Sequence, residues 1–208
     1  EAMTSIAVVT NFSISDLWKQ VDEYSKLAQE KGVGLKGVYD VQKLYYQQGR
    51  SAEDVKILTD NTLEFARIAE MDYAAATDAM TVAINAFNLK AKESIKITDI
   101  YSNLAAKAAV DQGELANAMS KVASMAASVG MSLETTSTFL TQIIETTREA
   151  PETAGTALKT VLARFGEVKK LIDTGKSTGT TDEGEEVDVN KIDTALKSVG
   201  VRLTDTNG

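Results

Sequence analysis

The stretch from Asp111 to Phe165, DQGELANAMSKVASMAASVGMSLETTSTFLTQIIETTREAPETAGTALKTVLARF, constrains this chain more than any other part of it. Asp111-Gln112-Gly113-Glu114 is an acidic variant of the capping box, which opens a helix by satisfying two backbone N–H groups reciprocally. Leu115, Met119, Val122, Met125 and Val129 follow at helical spacing, and Gly130 closes the run. Ser132 restarts the chain as an N-cap, and Phe139, Leu140, Ile143 and Ile144 make the next apolar stripe. Pro151 stands where the first helical position tolerates a missing N–H. Leu158, Val161, Leu162, Phe165, Val168 and Ile172 then continue a last long helix. Consecutive amphipathic helices of this kind must bury their stripes against one another.

The preceding residues follow the same rule. Ser15 is expected to cap a helix carrying Leu17, Val21, Tyr24 and Leu27, interrupted by Gly32 and Gly34. Val38, Val41, Leu44 and Tyr45 share the next face, which ends at Gly49. Ser51-Ala52-Glu53-Asp54 opens a helix with Val55, Leu58, Thr62, Phe65 and Ala69. Asp72 caps another with Ala76, Met80, Ala83, Ile84 and Phe87 inward. After a polar connector, Thr98 is expected to cap one bearing Ile100, Tyr101, Leu104 and Ala108. The fold class is therefore all-α, a bundle of about seven or eight short amphipathic helices. One proline, abundant alanine and 6% aromatics agree with that reading. Alanine-rich faces bring helices close together while burying little area per residue.

The character changes after Ile172. Asp173 to Asp188, DTGKSTGTTDEGEEVD, has Val187 as its one large apolar residue and reads as a flexible acidic linker. Asn190 is expected to cap a short helix with Ile192, Ala195, Leu196 and Val199, closed by Gly200. Val201-Arg202-Leu203 alternates like a strand, and Asp205-Thr206-Asn207-Gly208 reads as a turn. Asn-Gly normally joins two hairpin strands, so the chain reads as one cut from a longer protein. The organisation is a helical core over 1–172, a linker over 173–189, and a short helix with the start of a hairpin over 190–208.

Chemistry is conspicuous by what is missing. The chain contains no cysteine and no histidine, which removes thiol nucleophiles, the usual zinc sites, disulfides and histidine acid–base catalysis together. A net charge of −8 opposes general nucleic-acid binding, and no apolar run is long enough to span a bilayer. Gly175-Lys176-Ser177 imitates the end of a phosphate-binding loop, but the glycine required five residues earlier is Lys170. Asp182, Glu183, Glu185, Glu186 and Asp188 lack the ligand order of a calcium loop. Asn11-Phe12-Ser13 matches a glycosylation triplet with no secretion signal beside it. Met119, Met125 and Met131, with Ala123, Ala126 and Ala127, offer either an adaptable partner surface or an ordinary helix core. Tyr39, Tyr45 and Tyr46 near Lys36, Lys43 and Arg50 read as a packed helix face rather than a nucleobase platform. Glu145, Glu149 and Glu152 read as helix-end charges. No catalytic residue, cofactor-binding residue or metal ligand is assigned, and no enzyme activity or cofactor is expected.

One family shares this pattern. Val38–Gly49 followed by Ser51-Ala52-Glu53-Asp54, then an Ala74–Phe87 helix, leads to a series of Glu114, Leu115, Ala118, Val122, Ala126, Gly130, Ser132, Glu134, Thr135 and Leu140. Ala154-Gly155-Thr156-Ala157-Leu158-Lys159-Thr160-Val161-Leu162 is the most specific phrase, and Ala195 to Gly208 continues the likeness. The region from about Lys36 to Phe165 resembles the core of bacteriophage or prophage tail tape measure proteins. Many relatives carry a Gly-rich turn where this chain has Thr147-Arg148-Glu149-Ala150-Pro151. The resemblance implies a structural segment of a tape measure that sets tail length during assembly and fills the tail tube lumen. It implies self-association and contacts with tail-tube, tail-chaperone or baseplate proteins, in the virion tail and earlier in the host cytoplasm. It implies neither specific nucleic-acid binding nor membrane contact here. The rival reading is a cytosolic helical adaptor or chaperone-like module using the Met/Ala face.

Overall fold

The computed structural model describes residues 2–10, 13–180, 184 and 186–198, and the chain divides into two compact units, 1–156 and 157–208. Among the described residues there are eleven α-helices, one 3₁₀ turn and a two-stranded sheet. The fold is all-α in character. The first unit begins with α1 (Ala2–Val9), α2 (Ile14–Lys19) and α3 (Val21–Lys31). The stretch expected to form one helix from Ser15 thus starts at Ile14 and breaks at Gln20. A second helix precedes it where the sequence shows no amphipathic stripe, which raises the helix count above the expectation.

The core of this unit is two groups of mutually packed helices. In the first, α4 (Leu35–Gln47), α5 (Ala52–Ile68) and α6 (Tyr73–Ala86) each pack on the other two, and α1 and α3 lie against α4. In the second, α7 (Ile95–Ala105), α8 (Gln112–Ser128) and α9 (Leu133–Thr147) do the same. The α6–α8 and α5–α7 contacts join the groups. Buried residues follow the expected faces: Val38, Val41 and Tyr45 on α4, Val55, Leu58, Thr62 and Phe65 on α5, Ala76, Met80, Ala83 and Ile84 on α6. Asn61 donates from its amide to Ser94 Oγ at 2.6 Å, a buried bond that ties α5 to the start of α7. Lys31 reaches from α3 to Glu64 and Asp60 of α5 at 2.7 and 3.0 Å, and Lys56 returns to Glu23.

Most punctuation works as the side chains demand. Ser51, Asp72 and Ser132 each accept a hydrogen bond from a first-turn backbone N–H, and Asp111 and Glu114 complete a reciprocal capping box at 2.7 and 3.0 Å. Gly32, Gly49 and Gly130 take positive φ just beyond their helices. Ser15 falls inside α2 rather than before it, and Thr98 is likewise not a cap. Thr98 is buried inside α7, which starts at Ile95 directly after the 3₁₀ turn Ala91–Glu93. There Glu93 accepts from the Lys90 N–H at 3.0 Å and pairs with Lys96. That backbone N–H, with the lysine, holds the Glu93 carboxyl below its usual range. Phe139, expected on the α9 stripe, is instead 51% exposed, because Leu133, Thr136, Ser137, Leu140 and Ile144 fill the inward face.

The helix α10 (Pro151–Asp173) starts in the first unit and continues from Ala157 in the second, where β1 (Thr178–Thr180), β2 (Glu186–Asp188) and α11 (Val189–Ser198) follow it. The strands are antiparallel, with Gly179 opposite Val187, and they occupy part of the stretch read from sequence as a linker. A Cβ on Gly179 would lie 2.5 Å from Leu171 Cδ2 and 3.2 Å from its Cδ1, so β1 runs close over the Leu171 side chain of α10, whose tip would have to move for any larger residue. The α11 cap is Asp188, which accepts from the Asn190 and Lys191 N–H groups, rather than Asn190. Val199, Gly200 and the expected strand Val201–Leu203 lie outside the described residues.

The turn before Pro151 has an unusual solution. Arg148 closes α9 with φ +57°, the left-handed region that glycine adopts most easily, and its guanidinium donates to the Ala109 carbonyl at 3.0 Å. That tether anchors an α9–α10 turn built without glycine. Arg148→Ala keeps the backbone cost and loses the tether, whereas Arg148→Gly removes the cost. Urea denaturation is therefore expected to find the alanine variant less stable than the glycine variant by about 1 kcal/mol; equal midpoints would refute this account of the turn.

Candidate functional site

Each sequence feature that mimics chemistry has a structural assignment. Gly175 takes φ +68° at the end of α10, its N–H donating to Ile172 and that of Lys176 to Leu171, both at 2.9 Å. Gly175-Lys176-Ser177 is thus a helix C-terminal cap, where exposed carbonyls oppose an anion, rather than the helix N-terminus that a phosphate loop requires. Asp188 is engaged at the α11 N-terminus, Glu186 is exposed on β2, and Asp182, Glu183 and Glu185 lie outside the described residues. Among the described residues no cluster of acidic groups, histidines or cysteines has the arrangement to hold a metal ion. No described helix is long and apolar enough to cross a membrane. Of the glycosylation triplet, Asn11 and Phe12 also fall outside the described residues. Glu149 and Glu152 are exposed around the start of α10, and Glu145 is half-buried on α9.

The tyrosines are packing residues. Tyr45 is fully buried and shares a 2.6 Å hydrogen bond with Thr62 across the α4–α5 interface. Tyr39 is buried against Tyr24, edge to face at a centroid distance of 5.8 Å. Tyr101 packs against Phe65 at 6.0 Å. Tyr39 and Tyr45 therefore present no free ring face for a nucleobase, Tyr46 is half-buried, and two of the basic neighbours are occupied, Lys36 by Asp40 and Arg50 by Asn85. Burial pushes the Tyr45 hydroxyl up to about 12, with Tyr46 likewise, and raises Tyr101 further. Because the folded values exceed the ordinary tyrosine value of about 10, unfolded tyrosines ionise first and stability falls as pH rises from about 10 towards 12. Tyrosinate absorbance and helical ellipticity are expected to change together over that interval; ionisation with helicity intact would contradict the burial.

Most of the Met/Ala face is core. Met119, Ala118, Val122, Ala123 and Ala126 are buried and Met125 and Ala127 half-buried on α8, which packs against both α6 and α9, while Met131 is half-buried just beyond the end of that helix. Their small side chains let neighbouring backbones come close. The extreme case is Gly155 in the first turns of α10, where an added Cβ would overlap the Ala118 carbonyl, lying 2.9 Å from its carbon and 3.1 Å from the Ala118 Cα. The opposing atoms are backbone and cannot rotate away. Ala154, the residue before it, is buried. The phrase Ala154-Gly155-Thr156 is therefore a helix-crossing site, and its glycine is required by contact. Periodicity alone could not reveal this, since a glycine on an apolar stripe gives no sign of what lies opposite.

These assignments leave packing sites, helix crossings and caps, which match a structural family. The model of the phage-related minor tail protein family matches residues 19–208. The chain belongs to that family. Among curated relatives, the tape measure protein of Pneumococcus phage Dp-1 is 27% identical over 124 residues, covering 60% of this chain and 11% of that protein. The tape measure resemblance of the sequence thus extends to a curated relative, of which this chain spans a small part. No solved structure matches. Family membership assigns the chain a structural role in the phage tail, with the virion tail as its location.

Gly→Ala within a helix ordinarily stabilises by up to about 1 kcal/mol. At Gly155 the sign is expected to reverse, Gly155→Ala costing about 1–3 kcal/mol through backbone overlap at α8. Thermal unfolding of the variant checks this, and a raised midpoint would show that the crossing is not tight.

Proposed function

We propose that this chain is a segment of a tail tape measure, working as a length-setting filler of the tail tube lumen and not as an enzyme. The observation that carries the reading is the likeness to the Dp-1 tape measure protein along a chain whose buried residues form helix-packing faces. A length gauge needs helices of defined extent and faces for association, and no reaction centre. The proposed partners are further copies of the chain together with tail-tube, tail-chaperone or baseplate proteins, met first in the host cytoplasm and then in the virion. Specific nucleic-acid binding and membrane contact in this segment form no part of the reading. The burial of Met119, Ala123 and Ala126 favours this reading over an adaptor using the Met/Ala face, of which Met125, Ala127 and Met131 are half-buried.

Within a tube the helices act in series, so length follows the 1.5 Å rise per residue of an α-helix. Deleting the coding region for these 208 residues in frame from the parent gene is expected to shorten tails by roughly 310 Å in electron micrographs. A duplication should lengthen them equally. Tails of unchanged length in both phages would sink the proposal.

A further inference from the structure

Helix α10 carries a feature that the packing does not use. Leu158, Val161, Phe165, Val168 and Ile172 recur at alternating steps of three and four residues, the a and d positions of a coiled-coil heptad. Leu158 and Val168 are buried, whereas between them Val161 is 49% and Phe165 44% exposed. On a helix these two are i and i+4 neighbours, one turn apart on the same face. Arg164 and Lys169 occupy the g and e positions that flank this seam, and Lys159 and Lys170 lie on the opposite side. Glu167 is the one acid between Ala157 and Ile172, in a chain of net charge −8. The seam is a basic island on an acidic protein.

Charge decides what suits it. In a parallel pair of copies, the g residue Arg164 would face the e residue Lys169 of the other copy. In an antiparallel pair, like positions would meet, arginine on arginine and lysine on lysine. Either arrangement sets cation against cation beside the apolar contact. Arg164 bonds Glu167 at 3.5 Å and Lys169 bonds Asp173 at 2.6 Å, both within the helix. Such surface pairs contribute at most about 1 kcal/mol and exchange readily for a better-placed carboxylate.

We propose that the Val161–Phe165 seam of α10 is a docking site for an amphipathic helix from another protein, with apolar residues inward and acidic residues flanking them. The partner's a and d side chains cover Val161 and Phe165, and its flanking carboxylates meet Arg164 and Lys169. This inference stands apart from the length-setting role, and its failure would leave that role untouched.

The test uses the whole chain and two synthetic helical peptides with leucine and isoleucine at a and d, one carrying glutamate at e and g and the other lysine. Fluorescence anisotropy at low salt is expected to favour the glutamate peptide by about tenfold, from two charge contacts, with the preference shrinking as salt screens them. Arg164→Glu with Lys169→Glu should reverse the preference, and Lys169→Glu alone should shift it part of the way. Val161→Ser with Phe165→Ser should abolish binding of both peptides, with circular dichroism verifying that each variant stays helical. Equal affinity for the two peptides, binding of neither, or a preference indifferent to charge reversal overturns the proposal. So does a dimer in sedimentation equilibrium that the double serine variant dissolves, since a second copy would then own the seam.

Discussion

Helix α8, which lies against α6 and α9, can take the start of α10 at Ala118 only because the position opposite, Gly155, carries no side chain. A close backbone approach shortens the distance over which dispersion acts, so alanine faces gain in contact what they lose in buried area. The arrangement tolerates little change, because neither a backbone carbonyl nor a Cβ can move aside as a long side chain does. The two groups of helices inherit this constraint through the α6–α8 contact. Some polar groups in the core meet a partner, as in the Tyr45–Thr62 and Asn61–Ser94 bonds, whereas the buried Tyr39 hydroxyl, the Gln42 amide nitrogen and the Thr59 and Thr98 hydroxyls have none. The serine and threonine hydroxyls on the inner face of α9 bond backward to their own helix, leaving that face effectively apolar.

The same economy is compatible with the proposed role. The largest pKa shifts belong to tyrosines moved by burial, which marks them as core. A tail component working by length and association, as proposed, needs its functional residues spread along helix faces. The seam on α10 is one place where apolar side chains remain uncovered, and its basic charge contrasts with that of the chain carrying it.

Much of this was legible in the residues themselves. The caps at Ser51, Asp72, Asp111 and Ser132, the glycine stops and the inward faces of α4 to α6 all follow from local hydrogen bonding and periodicity, which act over a few residues. The misplacements share a cause. Thr98 has the chemistry of a cap, yet the 3₁₀ turn Ala91–Glu93, held by the Glu93 bond to the Lys90 N–H, leads straight into α7 at Ile95 and leaves Thr98 buried within it. Phe139 has the apolarity of a core residue, but the inward arc of α9 was taken by smaller side chains that suit the narrow space beside α7 and α8.

The sequence by itself determined the all-α class, the positions of most helix ends and the absence of histidine and cysteine chemistry, because these depend on composition and on interactions between near neighbours. Its motif pattern also pointed to the family. Tertiary structure alone decided that Gly155 is a crossing point, that Arg148 stands in for glycine through a tether to Ala109, and that Val161 and Phe165 stay exposed on an otherwise regular stripe. Each of those depends on what a distant part of the chain places opposite a residue, and one-dimensional periodicity carries no information about the atom across the interface.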